Sequence, residues 1–262
     1  MENRVDSPRA ILCGERELYH FVVELKDEPG ALVQVLSVFA SYGLNLVNLY
    51  TTESNYEARR ETTEVNLFVD FTGTRFSPEQ VVKSLSLLNV VKQARYYGKQ
   101  LPNMIVDGIH FPTTIMGERI IIYREYSYTS LIHGIRRQLG TGGEALLYHI
   151  GYNIGKGSGV RLKKLLQGRY DLVGEYLKYW MLIHSAARIT EIKIDIDKKK
   201  VLIRAEDNYE CKTGLNHGKP FSHLFRGNLA GILEEILGIR TLVETKCIAA
   251  GDPYCEFVTP EE

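Results

Sequence analysis

From Glu17 onward the apolar residues of this chain switch between two spacings, and each switch falls at a turn former. Tyr19, Phe21, Val23 and Leu25 recur every second residue, which places them on one face of a half-buried strand. Pro29 and Gly30 break that run. Leu32, Val35, Leu36 and Phe39 then recur at helical spacing, and Gly43 is a suitable helix C-cap. LNLVNLYTT reads as a second strand, and EVNLFVDF as a third with Val65, Leu67, Val69 and Phe71 on one face. Ser77-Pro78-Glu79 gives an N-cap followed by proline at the first helical position. A short helix to about Leu87 and a last strand, VVKQARYYG, complete the order βαββαβ. The charged segment TTESNYEARRET between the second and third strands reads as an exposed hairpin loop.

That order is the ferredoxin-like one. With KDEPGALVQVLSVFASYGLNLVNL, residues 17–98 resemble the ACT domain, preceded by an N-terminal extension over 1–16. The resemblance is carried by Asp27, Pro29, Gly30 and Leu32 between the first strand and first helix, and by Asn45 and Leu46 opening the second strand. It implies a regulatory module that pairs with another of its kind and binds an amino acid at the paired interface. Asp27, Pro29, Gly30, Ala31, Leu32 and Asn45 are the implied effector contacts. Gly30 permits close backbone approach, and exposed amides there can hold a carboxylate. The same residues also serve a plain tight turn and a packed core. Asn45 and Asn48 suit either ligand contacts or a polar strand edge.

Residues 99–117 carry prolines and glycines and read as a linker to a mixed α/β domain over 118–262. GGEALLYHIGYNIGKGSG is strongly helical, with Leu146, Leu147, Ile150 and Ile154 as its apolar stripe. Gly151 and Gly155, one turn apart, let another element approach that helix closely. A second helix runs through EYLKYWMLIHSAARI. EIKIDIDKKKVLIRA alternates on both sides of a charged turn, setting Ile192, Ile194 and Ile196 against Val201 and Ile203 in a hairpin. A further helix near HLFRGNLAGILEEIL precedes a terminal hairpin.

That last hairpin makes the most definite chemical offer in the chain. Cys247 and Cys255 flank Gly251-Asp252-Pro253, a cluster of turn formers. On paired strands their Cβ atoms come within about 4.5–5.5 Å, near enough for both sulfurs to reach one metal. Two buried reduced cysteines, or a disulfide, fit the same spacing.

Residues from about 118 to 258 resemble the 4-vinyl-reductase domain through four pieces in order: ALLYHIGYNIG, NYEC, FSHLFRGNLAGILEEILG and VETKCIAAGDPYCEF. This family includes the sensor halves of bacterial activators that respond to phenols, and a protein linked to vinyl reduction in bacteriochlorophyll synthesis. It shares its fold with vesicle-tethering subunits. The resemblance implies a dimer enclosing a mostly apolar small-molecule pocket, and a structural zinc held by Glu244, Cys247 and Cys255. The family's remaining cysteine falls where this chain has Ser222 followed by His223, so His223, Cys211 or water is left to complete the set. Glu244 and Cys247, three apart, would point to opposite faces of a regular strand, so a bulge is required. Tyr148 and Tyr152, with Trp180 and His184 one helical turn apart, are the candidate pocket wall, although such aromatics also serve an ordinary core.

The fold class is therefore α+β: a ferredoxin-like βαββαβ domain plus a mixed α/β pocket domain. Formal net charge is zero, with 44% hydrophobic and 24% charged residues, so no whole-chain field steers the protein to nucleic acid or an anionic membrane. Lys198-Lys199-Lys200 is a short basic run in a turn. No apolar run reaches the roughly 18–20 residues of a membrane span. MENRVDSPRA lacks the apolar core of a secretory signal, and four scattered cysteines favour a cytoplasmic location. Neither a nucleotide-binding loop nor a helix-turn-helix is legible. The expected protein is a non-enzymatic, homodimeric sensor that binds a small hydrophobic or aromatic ligand and an amino acid and signals to a partner protein. A reductase or accessory role in tetrapyrrole-type metabolism, or a tethering scaffold, is the alternative.

Overall fold

The computed structural model describes residues 9–52 and 61–261. The start of the N-terminal extension and the centre of the expected hairpin loop over 51–62 lie outside the described residues. The chain divides into two compact units, residues 1–121 and 122–262.

The first unit contains β1 (Ala10–Leu12), β2 (Leu18–Lys26), α1 (Ala31–Ser41), β3 (Asn45–Thr51), β4 (Thr62–Asp70), α2 (Pro78–Ser86), β5 (Val91–Tyr97), β6 (Met104–Val106), β7 (Thr114–Ile115) and β8 (Glu118–Arg119). From β2 to β5 the order is βαββαβ, and the four strands form one antiparallel sheet in the order β3-β4-β2-β5. Phe21 faces Leu67 and Val23 faces Val65 across the β2–β4 pair. These side chains make a single core with Val35 and Phe39 of α1 and with Val81 and Leu85 of α2. Helix α2 starts as its sequence directs, with Pro78 in the first turn and the Gln80 side chain accepting from the Ser77 amide at 2.8 Å.

The other face of this sheet is also covered. Strands β1 and β6, which lie in the expected extension and linker, pair with each other. Cys13 and Ile105 are buried there together with Leu18 and Phe68. Asp107 then fastens the segment: its carboxylate accepts from Tyr50 Oη at 2.7 Å, from Arg9 at 3.2 Å and from the His110 and Ile109 amides. Burial alone raises the Asp107 carboxyl, but the Tyr50, backbone and His110 hydrogen bonds outweigh it and hold it at about 2.

The second unit contains α3 (Glu125–Leu139), α4 (Thr141–Leu166), α5 (Val173–Ile183), β9 (Arg188–Asp195), β10 (Lys200–Glu206), α6 (Tyr209–Thr213), α7 (His223–Leu237), β11 (Val243–Lys246) and β12 (Cys255–Val258). Its antiparallel sheet has the order β11-β12-β10-β9. The β9–β10 hairpin sets Ile192 opposite Ile203 and Ile194 opposite Val201.

Helices α4 and α7 meet on glycine rather than on the expected aliphatic stripe. Leu147 is fully buried, but Leu146, Ile150 and Ile154 are 42%, 36% and 53% exposed. The face that α4 turns inward carries Gly143, Gly151, Gly155 and Gly159. A Cβ on Gly151 would lie 2.0 Å from the Leu224 carbonyl oxygen, and one on Gly155 would lie 2.1 Å from that of Asn228. Reciprocally, Cβ atoms on Gly227 and Gly231 of α7 would lie 2.1 Å from the Tyr148 and Tyr152 carbonyls. Leucine-sized side chains keep helix axes about 8–10 Å apart. Backbone-level contact needs glycine, which is why the stripe is displaced outward. Among the described residues no helix is long and apolar enough to cross a membrane.

Candidate metal centre

The terminal hairpin contains the bulge that its sequence requires. Glu244 pairs with Phe257 and Lys246 with Glu256, so the register shifts between Glu244 and Lys246. The extra residue turns Glu244 and Cys247 toward one point. Beyond Cys247 the chain wraps tightly: the Cys247 amide donates to Asp252 Oδ2 at 2.8 Å, and the Ala250 and Asp252 amides donate to the Cys247 carbonyl at 2.9 and 3.1 Å. Gly251, at φ 105°, closes the turn in the left-handed region where a side chain is disfavoured. Strand β12 then brings in Cys255 opposite Ala205 of β10.

A further sulfur arrives from outside the hairpin. Cys211 lies in α6, which Asn208 caps by accepting the Glu210 amide at 3.0 Å. Cys211 Sγ is 3.4 Å from Cys247 Sγ and 3.9 Å from Glu244 Oε1. One ligand atom each from Cys211, Glu244, Cys247 and Cys255 lies within 4.8 Å of all the others. The three cysteines are buried, Glu244 is half-buried, and all the cysteines are free thiols. His223 is not part of this group. Its Nδ1 accepts from Arg136 at 3.0 Å and its Nε2 lies 3.8 Å from Glu144. Burial, then the Arg136 charge, lowers its pKa.

The protonation energetics follow from packing acidic groups together out of water. Burial, then the Cys247 sulfur, pushes Glu244 up to about 8. Hydrogen bonds from Cys211 and Cys247 draw Cys255 down to about 4, and the reciprocal bonds, with burial, push Cys211 far up. A divalent cation bound here would displace the protons that these groups retain. Three sulfurs and a carboxylate oxygen around one point fit a four-coordinate zinc-type ion. No donor position is left open for substrate, so the arrangement suits a fold-building ion rather than a water-activating one.

The surrounding shell was not legible as chemistry in the sequence, although NYEC marked the place. Glu210 is fully buried and accepts the His223 amide at 3.1 Å and the Phe225 amide at 2.8 Å, both in the first turn of α7. Arg136 of α3 donates to Glu210 at 3.1 Å and to the Phe221 carbonyl at 2.7 Å, with its guanidinium carbon 3.7 Å from the Phe221 ring centre. Burial raises Glu210 to about 7 against these hydrogen bonds.

The other predicted residues occupy separate places. Tyr148 and Tyr152 stack at 6.2 Å on the α4 flank beside α7, where Tyr148 lies under Arg226 and Tyr152 donates to Glu234. Trp180 and His184 stand with ring centres 4.7 Å apart at the end of α5. Among the described residues no ring contact joins one pair to the other. In the first unit, Gly30 sits at φ 86° as the N-cap of α1, with Ala31 buried and Leu32 half-buried behind it. Asp27, Pro29 and Asn45 are exposed.

Comparison with known proteins adds a family. The model of the V4R domain matches residues 201–260, a span that includes all four clustered donors. The uncharacterized protein MJ0150 of Methanocaldococcus jannaschii is 30% identical over 132 residues, covering 47% of this chain and 68% of that protein. Among solved structures, a vinyl-4-reductase family protein of the same organism is 22% identical with a TM-score of 0.38, covering 55% of this chain and 85% of that one. The phenol-responsive sensory domain of the transcription activator PoxR, solved with phenol, is 18% identical with a TM-score of 0.48, covering 54% and 77%.

Proposed function

The chain belongs to the V4R domain family, and from that membership we propose that it is a non-enzymatic sensor whose second unit folds around a structural zinc and binds a small hydrophobic or aromatic molecule. The observation that carries this reading is the closed set of Cys211, Glu244, Cys247 and Cys255. Catalytic zinc keeps a ligand position for water, whereas four protein donors close the shell. Zinc bound here ties the bulged hairpin to α6, and so holds the sheet against the start of α7. The ligand is assigned to Trp180 and His184 at the end of α5, the aromatic pair that stands apart from Tyr148 and Tyr152 on α4, whose partners are Arg226 and Glu234. A mostly apolar wall with few polar anchors suits an aromatic guest.

Two further parts complete the proposal. The outward stripe of Leu146, Ile150 and Ile154 repeats every four residues on α4 and supports pairing with a second copy. In the first unit, a βαββαβ domain of ACT type would offer the N-terminus of α1 to an amino-acid carboxylate, with Asp27 and Asn45 as the proposed contacts of its ammonium group. Binding in either unit shifts a conformational balance that a partner protein reads.

Trp180 is the sole tryptophan and makes the aromatic site directly observable. Excited selectively, its emission should change saturably as phenol and alkylphenols are added to the full chain. A flat response together with an unchanged melting temperature across the panel would overturn the ligand reading.

A further inference from the structure

Ser222 stands at the N-cap of α7, yet its side chain makes no capping hydrogen bond to that helix. A serine in this position ordinarily spends its oxygen on an amide of the first turn. Here Glu210 has taken over that task, accepting from the His223 and Phe225 amides, and the serine is released for another. Its hydroxyl lies 2.7 Å from Cys211 Sγ, and its backbone amide donates to Glu244 Oε2 at 3.1 Å. One fully buried residue therefore touches two of the four clustered donors, one through each of its polar groups.

The direction of these hydrogen bonds is set from the backbone outward. The Glu210 amide can only donate, so Asn208 Oδ1 is the acceptor at 3.0 Å. That orients the Asn208 amide and makes its Nδ2 the donor to Ser222 Oγ at 2.8 Å. With its oxygen accepting from Asn208, the serine hydroxyl has its own hydrogen left for the sulfur of Cys211. Asn208 and Ser222 are both fully buried, so water does not compete for either.

We propose that Ser222, oriented by Asn208, is a positioning residue of the metal centre: its hydroxyl holds the Cys211 sulfur and its amide holds the Glu244 carboxylate in the geometry that accepts the ion. This rests on the metal reading given above. Residues that orient metal ligands in this way typically contribute about 10–100-fold to metal affinity. The role differs from that of a ligand, because its loss leaves the number of sulfurs on the metal unchanged.

Cobalt(II) titration of the full chain separates the possibilities, since sulfur-to-cobalt absorption reports how many sulfurs bind and competition with a chelator reports how tightly. Wild type should show the band of three sulfurs, and Cys211→Ser a band reduced by one sulfur. Ser222→Ala should reach the wild-type band at saturation with affinity about 10–100-fold weaker. Asn208→Ala should weaken binding at least as much, because it removes the donor that orients the hydroxyl and also the cap of α6, which carries Cys211. Should Ser222→Ala fail to fold, as judged by circular dichroism, Asn208→Ala decides the matter. Wild-type affinity in Ser222→Ala, or in Asn208→Ala where that variant decides, overturns the inference while leaving the metal centre standing. A wild-type protein that takes up no cobalt or zinc overturns the metal reading itself, and this inference with it.

Discussion

Replacing Gly155 by alanine puts one methyl group into the seam between α4 and α7. Its Cβ would stand 2.1 Å from the Asn228 carbonyl oxygen and 2.9 Å from the carbonyl carbon, whereas ordinary contact begins at 3.4 Å. The obstacle is backbone of α7, so no side chain can swing away. The helices must part by about 1.3 Å along that line, and every reciprocal glycine contact opens with them. Overpacking of this kind costs about 1–3 kcal/mol, and an immovable carbonyl places it at the upper end. Alanine returns about 0.8–1 kcal/mol as the better helix former. The net expectation is a loss of about 2 kcal/mol, or a melting temperature lower by roughly 4–8 °C for a protein of this size. Gly134, inside α3, is the matched control, because a Cβ there meets nothing within 4 Å. Gly134→Ala should gain up to about 1 kcal/mol from helix propensity alone. Thermal unfolding followed by far-ultraviolet circular dichroism measures both variants. If Gly155→Ala melts at or above the wild-type temperature, the close-packed glycine seam is wrong.

Other consequences can be checked alongside. Arg136→Ala leaves Glu210 fully buried without its counter-charge and should cost about 3–5 kcal/mol in urea unfolding, so an unchanged midpoint would contradict the assigned ion pair. The first unit should lose stability as the medium turns acid. Burial lowers the His20 pKa below its ordinary 6.5, so its contribution is present above pH 6.5 and declines below it as the unfolded chain takes up the proton first. Asp107, held near 2 from an ordinary 3.8, adds stability above 3.8 that is lost as the pH falls through 2. Far-ultraviolet denaturation curves between pH 7.5 and pH 3 that do not shift would refute this account. Ile150→Glu should turn a dimer into a monomer in sedimentation velocity, and a persistent dimer would place the pairing surface elsewhere.

Local signals were legible where one residue type serves one purpose. The alternation of Phe21, Val23 and Leu25 marked β2, and Ser77-Pro78 marked the start of α2. The hairpin of β9 and β10 followed from its isoleucines. The spacing of Glu244 and Cys247 demanded a bulge, and the strand pairing contains one. What the sequence concealed depends on contacts between distant segments. Leu146, Ile150 and Ile154 have the spacing of a core stripe, but a neighbour that packs on Gly151 and Gly155 leaves them outside. Spacing shows which residues share a face, not which face is covered. Cys211 is one of three candidates to complete the ligand set, with His223 and water, and only the fold brings its sulfur to Cys247 and leaves His223 outside. The same is true of Glu210, whose capping of α7 cannot be read from NYEC alone. Strands β1 and β6 are three residues each and lie in segments with no periodic signal, so their pairing is set by the apolar patch at Leu18 and Phe68 that they cover.

Native mass spectrometry of the full chain, purified without added metal and compared before and after mild denaturation, tests the central claim most directly. The account predicts one zinc per chain, retained in the folded species and released on unfolding, together with a small organic mass that leaves under the same conditions. A folded protein of the bare polypeptide mass, equally stable in the presence of a strong chelator, would contradict it.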